Sequence, residues 1–553
     1  MKPDAIAAVF LIPAVAAGAP ATAPSPATAP AGLRITPSRE TTFVRGPLLP
    51  DGTIDYAAAL DGLFSKGITP RNNAAVLLVP VLGPDRIHKP RAATGVLKRL
   101  GLKSGVRGRG LYAPLSAVLA VARRRAASSG EAGALPESAM ELLRQAVARP
   151  WTARQLPVAA EWLRVNDAAL RLVAAASRRQ RYYLPLGYEP PAGKLFDASV
   201  PRLAAFFDVG SAFVARAMQK AGSADVAGAR ADLLAAQRLG RLLGQGVTAG
   251  ERRIALDLLR LSCHGERALL GTVTAHTTAA ATLHLKALSA LPPVPDLREV
   301  YDRTERLTAL DFAMLVARKS RQSGDAVAAL AELIRLRKPD GEAGPTDPGA
   351  AAAVTVDWDE ALRAVNRWYD QAGDALGQTN YAVRARALRA LQAKWKRAAA
   401  RVNLATSPVG LRKLLESGAD PDGGGSRQRL SRNFGELLAC LLAPESFELA
   451  DRAETEAMDF DLVRLALALW ISRARTGRLP ARLASLVPTY LERVPPDRFT
   501  GRALIYRLLA DGSGFLLYSV GPNLTDDGGR SARAGGDDVA ILLRLRKQPA
   551  RSP

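Results

Sequence analysis

The chain has 553 residues, a net charge of +24, and a hydrophobic content of 48% with 5% aromatic residues. This composition is typical of a globular protein and excludes a disordered or collagen-like chain. With two cysteines, Cys263 and Cys440, the chain is neither a disulfide scaffold nor a cysteine-based zinc finger. Beyond the N-terminus, no apolar run reaches the roughly 18–20 residues that a membrane span needs, which excludes a polytopic membrane protein.

The first 31 residues have the features of an export signal followed by a tether. Residues 5–17 (AIAAVFLIPAVAA) form an apolar run of about 13 residues, which suits a signal core and is short for a membrane helix. Ala17 and Ala19 supply the small residues of a cleavage site. Residues 21–31 (ATAPSPATAPA) indicate an extended Pro/Ala-rich segment. We expect a periplasmic or extracellular protein that touches a membrane only through an uncleaved N-terminus. The alternative is a leader on a cytoplasmic protein.

The positive charge is spread along the chain, with denser stretches at residues 98–109, 123–125 and 544–551. A nucleic-acid site needs several cations along one face, and no nucleic-acid-binding motif accompanies these stretches. We therefore interpret them as solvated surface. Envelope proteins or anionic polymers are the expected partners, and no specific nucleic acid is expected. Nonspecific binding of polyanions or nucleic acids remains an alternative.

The body of the chain has a helical apolar period. Residues 55–64 indicate a helix, and Pro70 is expected in the first turn of the next one, with Asn72 and Asn73 as capping residues. From residue 114 to about residue 402 the helical period dominates, and prolines and glycines interrupt it. This spacing predicts antiparallel helices joined by short turns.

Known catalytic motifs are missing from the sequence. It contains no HExxH, GxSxG or CxxC. His276 and His284 lie about two helical turns apart, which is too far to bind one metal ion without a third ligand between them. The missing motifs favour a non-catalytic protein. The alternative is an envelope hydrolase whose carboxylates converge only in three dimensions.

The C-terminal segment combines a helix with strands. Residues 461–474 (DLVRLALALWISRA) predict an apolar helix. Two short alternating runs, residues 503–508 and 514–520, flank an Asp-Gly dipeptide that is typical of a hairpin turn. An acidic, glycine-rich stretch at 525–538 then leads to an apolar run at 539–543.

This segment, about 80 residues long, resembles the C-terminal half of the major pseudopilins of type II secretion systems. The likeness rests on GRLP at 477–480, LV at 486–487, YL at 490–491, VP at 494–495 with Asp497, FTG at 499–501, LYSVG at 517–521, and the pair Asp537 and Asp538. Residues 1–19 lack the cleavage motif and long apolar helix of a pseudopilin, so a filament subunit is not expected. Through residues 42–84 and 150–185, the whole chain also resembles a large uncharacterised family of exported bacterial proteins.

The pseudopilin resemblance implies a calcium site in the loop after the hairpin. The implied ligands, which nearby backbone carbonyls would complete, are Asn523, Asp526, Asp527, Asp537 and Asp538. Ca²⁺ takes about six to eight hard oxygen ligands. Without a cation, carboxylates crowded into one loop repel each other. Arg530 and Arg533 lie in the same loop, so a solvated acidic turn neutralised by arginine is the alternative.

The sequence thus predicts a mainly α fold. An irregular multi-helix body of helical hairpins is expected to precede a small C-terminal α+β domain, pseudopilin-like and containing a short antiparallel sheet. The expected division is a signal peptide and tether at 1–31, a small helical region at 32–112, a helical body at 113–405, a linker with helical segments at 406–459, the α+β domain at 460–546 and a basic tail at 547–553. The expected function is a non-catalytic exported scaffold or binding protein, with Ca²⁺ as the implied cofactor.

Overall fold

The computed structural model describes residues 35–102, 111–129, 135–187, 195, 201–294, 296–337, 353–404, 411–413, 415, 426–441, 447–510, 512–531 and 534–544. The export signal and tether expected at 1–31 and the basic tail expected at 547–553 lie outside these residues, as does Arg533. Within the described ranges, every helix is too short or too polar to span a lipid bilayer.

Helices form most of the described chain. Those before residue 200 are α1 (Tyr56–Phe64), α2 (Ala75–Leu82), α3 (Pro84–Ile87), α4 (Pro90–Arg99), α5 (Leu115–Ser129), α6 (Ala139–Ala148), α7 (Pro157–Val165) and α8 (Asp167–Ala176). Those after it are α9 (Ala204–Gly222), α10 (Val226–Leu243), α11 (Ala249–Leu269), α12 (Thr278–Ser289), α13 (Arg306–Ser323), α14 (Ala326–Arg337), α15 (Trp358–Leu376), α16 (Tyr381–Leu404), α17 (Ser426–Leu441) and α18 (Phe447–Thr476). A π-helical turn, Val300–Glu305, leads into α13. The strands are β1 (Ile505–Leu508), β2 (Gly514–Ser519) and β3 (Val539–Arg544).

The N-terminal helices agree with the sequence in part. Asp55 caps α1 with its side chain, as the helix predicted at 55–64 requires. The prediction of a helix starting at Pro70 is wrong, because α2 begins at Ala75 after a turn. Asn73 accounts for the later start of α2, because its side chain is bonded to Tyr183. Asn73 Nδ2 donates to the carbonyl oxygen of Tyr183, and Asn73 Oδ1 accepts from the backbone N–H of Tyr183. The same Oδ1 also accepts from the backbone N–H of Ala75, as a capping residue does.

The middle of the chain is built from packed helical hairpins, as predicted. α10 packs against both α9 and α11, and all three contribute to one large buried apolar cluster. Thr248 and Glu251 form a reciprocal capping box that starts α11. Where α10 meets α11, a Cβ at Gly240 would lie 2.9 Å from a methyl carbon of Leu259, so the small residue allows a close approach.

The C-terminal domain is a sheet packed on a long helix. The strand order is β1-β2-β3, and both pairs are antiparallel. Leu517 of β2 lies opposite Tyr506 and Ile541, so these three side chains point to the same face. This face packs on α18. The predicted fold class, a mainly helical chain with a short antiparallel sheet near its C-terminus, is confirmed.

The sheet shares its core with the helical body. The cluster that contains Phe515 of β2 and Leu467 of α18 also contains Cys263 of α11, Leu285 of α12 and Tyr381 of α16. α18 itself is 30 residues long and runs through position 460, where the sequence placed the start of the domain. A fragment cut at that position would expose the apolar surface that the body covers, at a cost of about 25 cal/mol per Å². Experiments on this domain therefore need the full chain.

The two cysteines are buried and free, in separate apolar clusters. Burial raises the pKa of the Cys263 thiol and that of the Cys440 thiol to about 12. Thiolate, the reactive form, is therefore scarce at neutral pH. We expect neither thiol of the native protein to react with a thiol reagent such as Ellman's reagent. Both thiols should react after the protein is unfolded in guanidinium. Rapid modification of one thiol in the native protein, or a disulfide in a non-reducing peptide map, would contradict this packing.

Candidate metal site in the C-terminal domain

The predicted ligands lie in the segment that joins β2 to β3. Leu516 and Tyr518 point to the face of the sheet opposite α18, since side chains alternate along a strand. The loop covers both of them. The Tyr518 hydroxyl donates to Asp526 Oδ1 at 2.9 Å, and a Cβ at Gly529 would lie 3.0 Å from Leu516. The central strand β2 is therefore buried between α18 and the acidic loop.

Three of the five predicted ligands meet in this loop. Single carboxylate oxygens of Asp527, Asp537 and Asp538 lie within 4.8 Å of one another. Backbone amides hold them in place. The amide of Asp537 donates to Asp527 Oδ2 at 3.0 Å, and that of Gly529 donates to Asp538 Oδ2 at 2.7 Å. The amide of Asn523 donates to Asp537 Oδ2 at 2.9 Å. The loop thus orients the three carboxylates without using all of their oxygens.

Glycines bring the two ends of the loop together. Gly521 has a φ of 71°, and a Cβ there would lie 2.2 Å from the backbone oxygen of Asp537. A Cβ at Gly536 would lie 2.4 Å from the backbone oxygen of Arg530. A side chain at either position would push the loop ends apart. The glycines therefore place Asp527 beside the pair that precedes β3.

The electrostatics of the cluster are those of crowded acids. Burial and repulsion from Asp527 raise the pKa of Asp537 and that of Asp538, although backbone N–H donors oppose the rise. Asp537 Oδ1 is buried without a hydrogen-bond partner. In the described part of the chain, no lysine or arginine forms an ion pair with these three carboxylates. Arg530 instead donates from Nε to the backbone oxygen of Asp527 at 2.8 Å.

The other two predicted ligands are placed differently. Asp526 accepts from the amide of Gly528 and from Tyr518, which together hold the pKa of its carboxyl below the usual range. Its Oδ1 is therefore engaged by the sheet, and Asp526 is not among the three carboxylates whose oxygens lie within 4.8 Å of one another. Asn523 borders the cluster, but it donates from Nδ2 to Asp527 Oδ2 at 3.0 Å, while its side-chain oxygen accepts from the amide of Thr525.

Several buried carboxylates elsewhere are held by basic partners. Glu360 on α15 accepts from Arg363 at 3.4 Å and from Arg367 at 3.1 Å. Glu266 on α11 is bonded to His284 Nε2 at 2.8 Å, and both side chains are about 5% exposed or less. These pairs lie at helix surfaces and interfaces. The hydrolase considered above would instead need a pair of acids that face substrate in a deep cleft.

A polar cavity that the sequence did not indicate has a volume of about 430 Å³. Its walls come from the segment near Phe43, the π-helical turn and α15, which are distant in sequence. Arg306, only 2% exposed, donates from Nη2 to Asp302 at 2.7 Å and to Asp370 at 2.8 Å. Its guanidinium lies 4.3 Å from the centre of the Phe43 ring. Three arginines and three aspartates line the cavity, so its formal charges balance and favour neither an anion nor a cation.

The carboxylate cluster is thus the arrangement with the clearest chemistry. Three anionic oxygen groups held by backbone amides, with one buried oxygen unpaired, suit a hard divalent cation. No histidine accompanies them among the described residues of the loop. No family model, curated protein or solved structure matches the chain.

Proposed function

We propose that this protein is an exported, non-catalytic scaffold whose C-terminal α+β domain is stabilised by Ca²⁺. The observation that carries the proposal is the meeting of Asp527, Asp537 and Asp538, with ligand oxygens within 4.8 Å of one another. Three carboxylates offer up to six of the roughly six to eight oxygens that Ca²⁺ takes. The pseudopilin-like order of motifs around this loop supports the same ion.

The state of the carboxylates also supports a cation. The pKa of Asp537 and that of Asp538 are raised, because both groups are partly withdrawn from water and repel their neighbours. A divalent ion would replace this repulsion with attraction and would bind the buried Asp537 Oδ1. Asn523 would become a ligand only after its side-chain amide rotates, since its Nδ2 now faces Asp527.

Two observations support a scaffold over a hydrolase. The buried acids Glu360 and Glu266 are engaged by arginine or histidine, and the polar cavity around Arg306 has balanced charge. Export is supported by the signal-like pattern of residues 1–31. The proposed partners are envelope proteins or anionic polymers, which the net charge of +24 would attract.

Calcium binding is tested on the full chain by thermal unfolding and isothermal titration. Ca²⁺ at about 100 times its Kd is expected to stabilise the wild type by about 2.7 kcal/mol. The Asp537→Asn variant should lose this gain because it removes a ligand. Without calcium, the same variant should be at least as stable as the wild type, since it relieves repulsion. This reversal separates lost binding from a damaged fold.

Asp526→Asn is the matched control, because it makes the same charge change in the same loop at a carboxylate outside the cluster. It should keep the calcium response. If the wild type shows neither heat of binding nor a shift in Tm with millimolar Ca²⁺, the calcium part of the proposal is wrong. An equal loss of response in both variants would show that total loop charge, rather than the three-carboxylate cluster, attracts the ion.

A further inference from the structure

One helix carries positive charge without any acid. α16 has 24 residues, of which seven are lysine or arginine and none is aspartate or glutamate. Five of the basic side chains are exposed, and we refer to these five as the cationic face: Arg386, Arg389, Lys394, Lys396 and Arg397. At 100° per residue, these positions fall within one arc of roughly 160°. The arc is continuous over about 17 Å of helix, given a rise of 1.5 Å per residue.

The opposite side of α16 anchors the helix to the body. Leu388, Leu391 and Trp395 are buried, and the helix packs against α15 and α17. The Trp395 ring lies 4.8 Å from the ring of Trp368 on α15. The apolar side of the helix is therefore already occupied, and a partner reaches only the charged side.

Within the ranges that the structure describes, carboxylates do not neutralise the cationic face. Among the described residues, no Asp or Glu side chain forms an ion pair with any of its five cations, whereas Arg384 beside it pairs with Glu454 at 2.7 Å. Lys394 lies 4.8 Å from the centre of the Trp368 ring, which leaves its charge unneutralised. Like charges three residues apart, such as Arg386 and Arg389, weaken a helix by about 0.2–0.5 kcal/mol. The face therefore carries a standing repulsion that an anionic partner would relieve.

We propose that the cationic face of α16 binds the headgroups of an acidic phospholipid membrane. Groups of about four to eight basic residues on a helix suffice for attraction to such a surface. Small residues, Ala390 and Ala393, lie between the cations and allow the headgroups to come close. Val383, 51% exposed on the same side at the start of the helix, offers an apolar contact at the interface. No insertion of the helix is implied, since its apolar side is buried in protein.

A membrane fits this face better than a nucleic acid does. Many contacts to nucleic-acid phosphates come from neutral Ser, Thr, Asn, Gln and Tyr side chains beside the basic ones. Between residues 386 and 397 only Gln392 is of this kind. The choice also rests on the proposed function, because an exported protein meets anionic lipid surfaces. Membrane binding by this face requires neither export nor calcium. A negative result in its test therefore leaves the proposed function untouched, and the reverse also holds.

The test is co-sedimentation of the full chain with vesicles, in a chelator so that the calcium site plays no part. One set of vesicles contains equal parts of phosphatidylglycerol and phosphatidylcholine, and the other contains phosphatidylcholine alone. The triple variant Arg386→Gln, Lys396→Gln, Arg397→Gln removes three charges from the cationic face. The matched control, Arg123→Gln, Arg124→Gln, Arg125→Gln, removes three charges from exposed positions on α5. Circular dichroism checks that both variants are folded.

The wild type is expected to bind the acidic vesicles and not the neutral ones, with binding lost at high salt. The α16 variant should bind about 100-fold more weakly, and the α5 variant within about threefold of the wild type. An absence of wild-type binding to acidic vesicles would overturn the proposal. Equal weakening in both variants would overturn it too, by showing that only net charge matters. If the α16 variant loses affinity for duplex DNA and keeps its affinity for vesicles, the cationic face binds nucleic acid and the membrane proposal is wrong.

Discussion

The Gly435→Ala variant is expected to lose about 3 kcal/mol of unfolding free energy. Gly435 lies where α17 crosses α15, and a Cβ there would be 2.0 Å from the backbone oxygen of Ala361 and 2.8 Å from the Cβ of Ala364. These atoms belong to a helix backbone and its first side-chain carbon, so they cannot rotate away as a long side chain does. Urea unfolding followed by circular dichroism measures the loss.

Gly62→Ala is the matched control for this substitution. Gly62 lies inside α1, and a Cβ there meets no atom within 4 Å. Because alanine is the better helix former by about 1 kcal/mol, this variant should equal or exceed the wild type in stability. If Gly435→Ala were as stable as Gly62→Ala, the two helices would not approach as closely as described. α16 packs against both α15 and α17. Loosening the contact between these two helices should therefore also disturb the packing that holds α16 and its cationic face in place.

The Glu456→Gln variant is expected to be about 3 kcal/mol more stable than the wild type at pH 8, at 1.36 kcal/mol per pKa unit. Glu456 is 4% exposed on α18, where that helix packs against α11. Burial raises the pKa of its carboxyl from 4.5 to about 7, although Arg452 and Arg260, each 3.9 Å away, oppose the rise. The ionised carboxylate is therefore destabilising in the folded protein, and glutamine removes that charge.

The direction of the pH dependence follows from the two protonation states. Below about pH 4.5, Glu456 is protonated in both folded and unfolded chains, so the variant and the wild type should be equally stable. Between pH 4.5 and 7 the unfolded chain loses the proton and the folded chain keeps it, so the stability of the wild type relative to the variant falls as pH rises. Above pH 7 the difference stays constant. Urea unfolding across this pH range measures the stability difference between wild type and variant, and the exposed Glu492→Gln is the control. Parallel stability profiles for Glu456→Gln and wild type would contradict the raised pKa.

Local patterns predicted much of the fold. The helical period predicted from residue 114 to about residue 402 includes α15, and the alternating runs that flank the Asp-Gly dipeptide pair as the antiparallel strands β1 and β2. Such features depend on neighbours a few residues away, which the sequence displays directly. The start of α2 was mispredicted because Asn73 bonds to Tyr183, which lies 110 positions further along the chain.

The candidate site was predicted in outline only. The ligands implied by the pseudopilin resemblance included all three clustered carboxylates, but the sequence does not separate Asp526 from Asp527. The structure separates them because Tyr518, on the outer face of β2, binds Asp526 and leaves Asp527 facing Asp537. The direction of an acidic side chain in a loop depends on which donors the fold brings near it, and those donors lie on other elements.

The sequence by itself determined the helical body, the C-terminal hairpin and the acidic loop, because helix periodicity and turn chemistry are properties of short stretches. The tertiary structure alone decided which charges are neutralised. Arg306 meets Asp370 across helices, Glu456 is withdrawn from water, and the cationic face of α16 has no ion pair with an acid in the described part of the chain. The energy of a charge depends on its burial and on the distance to its partners, and both are set by contacts between segments far apart in the chain.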